Sequence, residues 1–176
     1  MNKNNNIEPD MITKQIEWNI STVITLIFCI AAPIIVGTLA SFFTQNAMLS
    51  FNSMNKPPFA PPAMLFPIAW TILYILMGIA SFFIYKSSSE GRYMGIMLYV
   101  VQLAFNFIWS LIFFRMDAYI FAAIWLGILI FLIIALIINT SKYSIAAMLM
   151  LIPYACWCCF AMYLNIEIAT EIKMCF

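Results

Sequence analysis

The placement of charge constrains this chain most. Its Asp, Glu, Lys and Arg residues mark off windows that contain none. There are 38 residues between Glu17 and Lys56, 29 between Lys56 and Lys86, and 22 between Arg92 and Arg115. A further 24 lie between Asp117 and Lys142, and 24 more between Lys142 and Glu167. A helix that crosses a bilayer needs ~20 mostly apolar residues, so each window holds one crossing. The windows are continuously apolar rather than alternating, which selects helices over barrel strands. The expected fold is an all-α integral membrane bundle of five transmembrane helices, near residues 20–44, 64–85, 93–114, 118–139 and 143–166. Residues 1–17 form a polar N-terminal tail, 18–166 the transmembrane domain and 167–176 a short C-terminal tail. The first apolar run is too long for the hydrophobic core of a secretory signal.

Composition agrees and excludes several functions. Hydrophobic residues make up 65% of the chain and charged residues 9%, which leaves lipid as the solvent and the bilayer as a partner. A net charge of +1 offers nothing to nucleic acid. With no histidine, the commonest general base and metal ligand is missing. The span interiors hold no ionisable group of the kind that ion-coupled carriers use. Counting Lys and Arg by side, five fall with the N-terminus and three opposite, so the positive-inside rule puts the N-terminus in the cytoplasm.

Four of the eight prolines lie in KPPFAPP, residues 56–62. Such a run is stiff, extended and non-helical. Pro61-Pro62 suits the launch of the second span. The structural reading is a hard stop between two helices. The functional one is a lid, in which Phe59 and a long connection from Gln45 to Asn55 close one mouth of the bundle.

Helical spacing then groups the polar and aromatic residues. In the third span Gln102, Asn106, Trp109 and Phe113 share a face, as do Trp70, Tyr74 and Met77 in the second and Tyr154, Trp157, Ala161 and Asn165 in the fifth. Amides have no use for lipid, so these faces turn inward. Either the amides are interhelical glue, or the faces wall a pocket for a flat apolar ligand. Cys156 and Cys159 share a helical face that Cys158 does not, so this cysteine cluster cannot act as one chelating set and no metal is expected. Pro33, Pro67 and Pro153 are expected to kink their helices. The pairs Gly37/Ser41 and Ala123/Gly127 allow close packing within one chain or in a homodimer.

Three of these segments carry a resemblance. KPPFAPPAMLFPIAWTILYILMGIA (56–80), QLAFNFIWSLIFF (102–114) and IPYACWCCFAMYLN (152–165) resemble, in order and spacing, the signatures of the TspO/MBR family of translocator proteins and peripheral-type benzodiazepine receptors. The similarity runs from about Gly37 to Asn165. It implies five helices around a cavity under the first connection. It also implies tetrapyrrole ligands (protoporphyrin IX, haem), isoquinoline and benzodiazepine ligands, and no required cofactor. By motif, Trp70, Asn106, Trp109, Trp157 and Ala161 would contact ligand; with Phe51, Phe59, Tyr74, Gln102 and Phe113 they make up the candidate site. Two alternatives to a receptor or carrier stand beside it, the first of them raised by the resemblance. One is a light-dependent porphyrin-degrading enzyme using Trp70 and Trp157 as candidate catalytic residues; the other is a regulatory membrane scaffold. The chain departs from the family in having Phe59 for a loop Trp and Ser50-Phe51 for a Trp-Tyr pair. It also lacks a Tyr after Asn165 to complete the cholesterol pattern, although Arg115, Phe121 and Leu126 fit the reversed one.

Overall fold

The structure, a computed structural model, describes the backbone of residues 19–53 and 65–174 and the side chains of residues 19–45 and 65–170. Five helices follow one another: α1 Ile20–Ser53, α2 Leu65–Lys86, α3 Arg92–Phe114, α4 Tyr119–Ser141 and α5 Ile145–Met174. All five are long and apolar enough to span a membrane, and the described residues contain no strand. The expected five-helix bundle is therefore the fold. Contacts close a ring in the order α1, α2, α5, α4, α3, with α2 also touching α3 across the middle.

Lipid is the solvent that makes this packing sensible. Phe28 is 72% exposed and Phe131 69%, and the outer faces repeat Ile and Phe at many such positions. In water these faces would drive aggregation; in hydrocarbon they cost nothing. Inside, Met77, Ala80, Ile84, Leu129, Ile133, Leu136 and Leu151 are completely buried. Close approach of α1 and α2 depends on Gly78. A Cβ there would lie 2.5 Å from the Cα of Ile30 and 2.9 Å from the carbonyl oxygen of Cys29. That carbonyl is the one left without its helical donor by Pro33, four residues on.

Three expectations change. Helix α1 does not end near residue 44 but continues to Ser53. Nothing between Gln45 and Ser53 breaks a helix, since the stretch lacks Gly and Pro. The first connection is thus shorter than expected, and most of the Gln45–Asn55 segment is helix rather than lid. The run KPPFAPP, with Phe59, lies outside the described residues, as does the side chain of Phe51. Second, Pro67 does not kink α2: it is the third residue of that helix, where its missing N–H has no partner to lose. Third, α5 continues as helix to Met174. Helix α1 has 34 residues and α5 has 30; at 1.5 Å per residue they measure about 51 and 45 Å, against a hydrocarbon core of about 30 Å. By up-down connectivity their C-terminal ends project from the same side of the bundle.

Candidate binding cavity

The inward stripe of α3 is buried along its whole length: Gln102 and Asn106 are 0% exposed, Trp109 5% and Phe113 4%. Across from it, α2 presents Trp70 and Tyr74, and α5 presents Tyr154 and Trp157. Trp70 is the hub. Its ring stacks on Tyr74 at 5.4 Å and lies 6.3 Å from Trp109, 6.4 Å from Tyr154 and 6.5 Å from Trp157. Trp109 in turn stacks on Phe113 at 5.4 Å. Aromatic pairs at these separations favour the stacked and edge-on geometries seen here.

The amides behave differently from one another. Gln102 accepts a hydrogen bond through Oε1 from the Tyr154 hydroxyl at 2.9 Å, which ties α3 to α5. Asn106, one turn further along, has neither its Oδ1 nor its Nδ2 paired; the Tyr74 and Tyr154 hydroxyls lie near without closing a bond to it. The indole N–H of Trp109 and both amide atoms of Asn165 are likewise buried and unpaired. Buried polar groups are nearly always satisfied, so a cluster of orphans asks for a partner.

Beside this cluster, α1, α2 and α3 enclose a cavity of about 430 Å³. Trp70, Tyr74 and Trp109 form its aromatic wall, and Gly37, Thr38 and Ser41 of α1 face them. Gly37 lets the Tyr74 ring lie against α1, since a Cβ at that position would collide with the ring. Thr38, Thr71 and Ser110 donate their hydroxyl protons to carbonyls of their own helices, leaving oxygen lone pairs as acceptors toward the cavity. Among the described residues, no charged side chain lines it.

The structure therefore sorts the candidate residues. Trp70, Tyr74 and Trp109 line the cavity, whereas Gln102, Asn106, Phe113 and Ala161 are buried in the bundle and are absent from its lining. Trp157 lines another hollow, of about 470 Å³ between α2 and α5, together with Ala69, Leu73, Pro153 and Cys156. Trp70 stands between the two. Cys158 is buried while Cys156 and Cys159 are exposed, so the cysteine cluster divides as its helical spacing requires. Sequence reasoning missed Thr38, Thr71 and Ser110. The Gly37/Ser41 pair, read there only as a packing device, was the available signal.

Fold and cavity together define a multi-pass integral membrane protein built around an aromatic-walled pocket. The profile of the TspO/MBR family matches residues 29–170, and the chain belongs to that family. It is 34% identical over 149 residues to the tryptophan-rich protein TspO of Chlorobaculum tepidum, covering 83% of this chain and 94% of that one. It is 35% identical over 150 residues to the tryptophan-rich protein TspO of Archaeoglobus fulgidus, at 83% and 95% coverage. A translocator protein homolog of Schizosaccharomyces pombe is 37% identical over 120 residues, which is 66% of this chain and 73% of the other.

Proposed function

We propose that this membrane receptor binds flat aromatic ligands, tetrapyrroles such as protoporphyrin IX or haem among them, in the cavity walled by Trp70, Tyr74 and Trp109. The supporting observation is the hub arrangement of Trp70, which offers ring faces and edges beside unpaired polar atoms of Trp109 and Asn106. An isoquinoline- or benzodiazepine-type ligand suits a cavity of about 430 Å³, within the range of small-molecule sites. A tetrapyrrole is wider and would extend past the Trp70 ring toward Trp157. Its carboxylates would rest at the mouth, because the described residues of the wall include no cation to receive them. Carriage of such a ligand across or within the membrane uses the same site.

A second reading is light-dependent oxidation of the bound porphyrin by oxygen, with Trp70 and Trp157 taking part; the edge-on contact of their rings at 6.5 Å favours it. One experiment tests both. Protoporphyrin is titrated into purified protein while tryptophan fluorescence and the Soret band are followed, first in the dark and then under illumination. Saturable quenching with an unchanged Soret band in the dark supports binding, and no saturable quenching defeats it. Loss of the band only in light, slowed in both Trp70→Phe and Trp157→Phe, would establish the second reading.

A further inference from the structure

A third space, a hollow of about 330 Å³, lies at the opposite end of the α1–α2–α3 contact from the aromatic cavity. Phe28, Cys29 and Ala32 of α1, Tyr85 of α2, and Ile96 and Tyr99 of α3 form its walls. Its surface is almost wholly carbon for an identifiable reason. The Thr25 hydroxyl donates to the Ser21 carbonyl and the Ser81 hydroxyl to the Gly78 carbonyl, each at 2.8 Å, so both turn back onto their own helices. The Tyr99 hydroxyl is buried beneath the wall. Phe28 and Tyr85, 72% and 54% exposed, form the rim, so the groove opens sideways, toward lipid.

Two cations, just outside the lining, end the helices that wall this groove. Lys86, the last residue of α2, donates from Nζ to the Thr22 hydroxyl at 3.3 Å. Thr22 shares the α1 stripe of Thr25 and Cys29, so this contact holds the ammonium over the α1 wall. Arg92, the first residue of α3, lies on the stripe that continues to Ile96 and Tyr99; its guanidinium donates to the Ser87 carbonyl and to the Tyr93 hydroxyl, each at 3.0 Å, and rests over the exposed Tyr93 ring. A carbon-lined slot at hydrocarbon depth with two cations at the headgroup level has the chemistry of one molecule of the bilayer. We propose that this groove is a binding site for an anionic phospholipid, with one acyl chain against Phe28, Ala32 and Ile96 and the phosphate between Lys86 and Arg92. Basic pockets between membrane helices take such headgroups. Zwitterionic lipid fits the slot but gains less from the cations. Glu90, exposed in the connecting turn, opposes the preference weakly.

The test does not depend on any ligand of the aromatic cavity. The protein is reconstituted in nanodiscs holding equal phosphatidylglycerol and phosphatidylcholine, released, and examined by native mass spectrometry for retained lipid. One phosphatidylglycerol should remain, favoured over phosphatidylcholine by roughly 20- to 30-fold, since each nearby cation contributes about five-fold. Lys86→Gln/Arg92→Gln should abolish the preference without loss of helicity, because both residues end helices rather than pack in the core. Ala32→Phe, which fills the slot from an exposed position, should expel the retained lipid with both cations intact. The proposal is overturned by equal retention of the two lipids in the original chain. It is equally overturned if the preference survives removal of both cations, or if retention is indifferent to Ala32→Phe, which would leave only diffuse surface attraction.

Discussion

The Tyr154 hydroxyl donates to Oε1 of Gln102 across 2.9 Å in the middle of the bundle, where neither side chain has any exposure. This bond joins the two helices that carry the rest of the polar stripe, and it makes Gln102 an interhelical tie rather than a cavity wall. Tyr154→Phe removes the donor and leaves the Gln102 carbonyl unpaired. The loss should be about 0.6–2 kcal/mol, the range for hydrogen bonds between membrane helices. Unfolding in mixed detergent micelles measures it, and a Tyr154→Phe protein as stable as the original would show that the tie contributes nothing.

Asn106, on the same stripe, should respond in the opposite way. Its amide is buried with both atoms unpaired, so it already carries the cost of desolvation. Replacing an unsatisfied polar group by an apolar one of similar shape is neutral or stabilising. Asn106→Leu is therefore expected to unfold no earlier than the original chain in the same micelle assay. If Asn106→Leu instead destabilises the bundle, the amide is glue.

That contrast also marks how far the sequence could be read. Charge-free windows placed all five helices because lipid penalises charge wherever it falls, and the same penalty turned Gln102 and Asn106 inward. Periodicity could not say which amide would find a partner, since that depends on Tyr154 arriving from α5, 52 positions away. Nor could it separate Trp70 from Trp157. Both lie on inward stripes, yet one walls the cavity and the other a hollow between α2 and α5, because the ring order places α5 beyond α2 from α1. The end of α1 was misjudged for a simpler reason: charge marks where a helix leaves the membrane, not where it stops. With no Gly or Pro between Gln45 and Ser53, it continues.

Two glycines make a matched test of helix packing. At Gly78 an added Cβ meets backbone of α1 at 2.5 and 2.9 Å, which cannot rotate away. Gly78→Ala should destabilise by about 1–3 kcal/mol, the usual cost of overpacking. At Gly127 the nearest atom is the flexible end of Met162 at 3.6 Å. Gly127→Ala should be neutral, or stabilising by up to about 1 kcal/mol through helix propensity. Thermal unfolding of both variants checks the pair, and equal effects would mean that α1 and α2 do not meet at Gly78.

The two tryptophans should distinguish small ligands from large ones. Trp70 borders the cavity directly, whereas Trp157 is absent from its lining and meets the Trp70 ring edge-on at 6.5 Å. Losing an aromatic partner removes ~0.5–1.5 kcal/mol beyond area burial, or roughly two- to ten-fold in affinity. Trp70→Ala should thus weaken every ligand of the site. Under the proposed function, in which a small ligand ends at Trp70 and the macrocycle reaches past it, Trp157→Ala should leave an isoquinoline carboxamide within about two-fold of its original affinity and weaken protoporphyrin several-fold. Ligand absorbance is the proper readout, since the substitutions themselves remove tryptophan emission. Helicity measured alongside confirms that each variant is folded. Should Trp157→Ala weaken both ligands equally, the small ligand also crosses Trp70 and the two hollows act as one. Should it weaken neither, porphyrin is confined to the α1–α2–α3 side, and the contact between the rings has no part in binding.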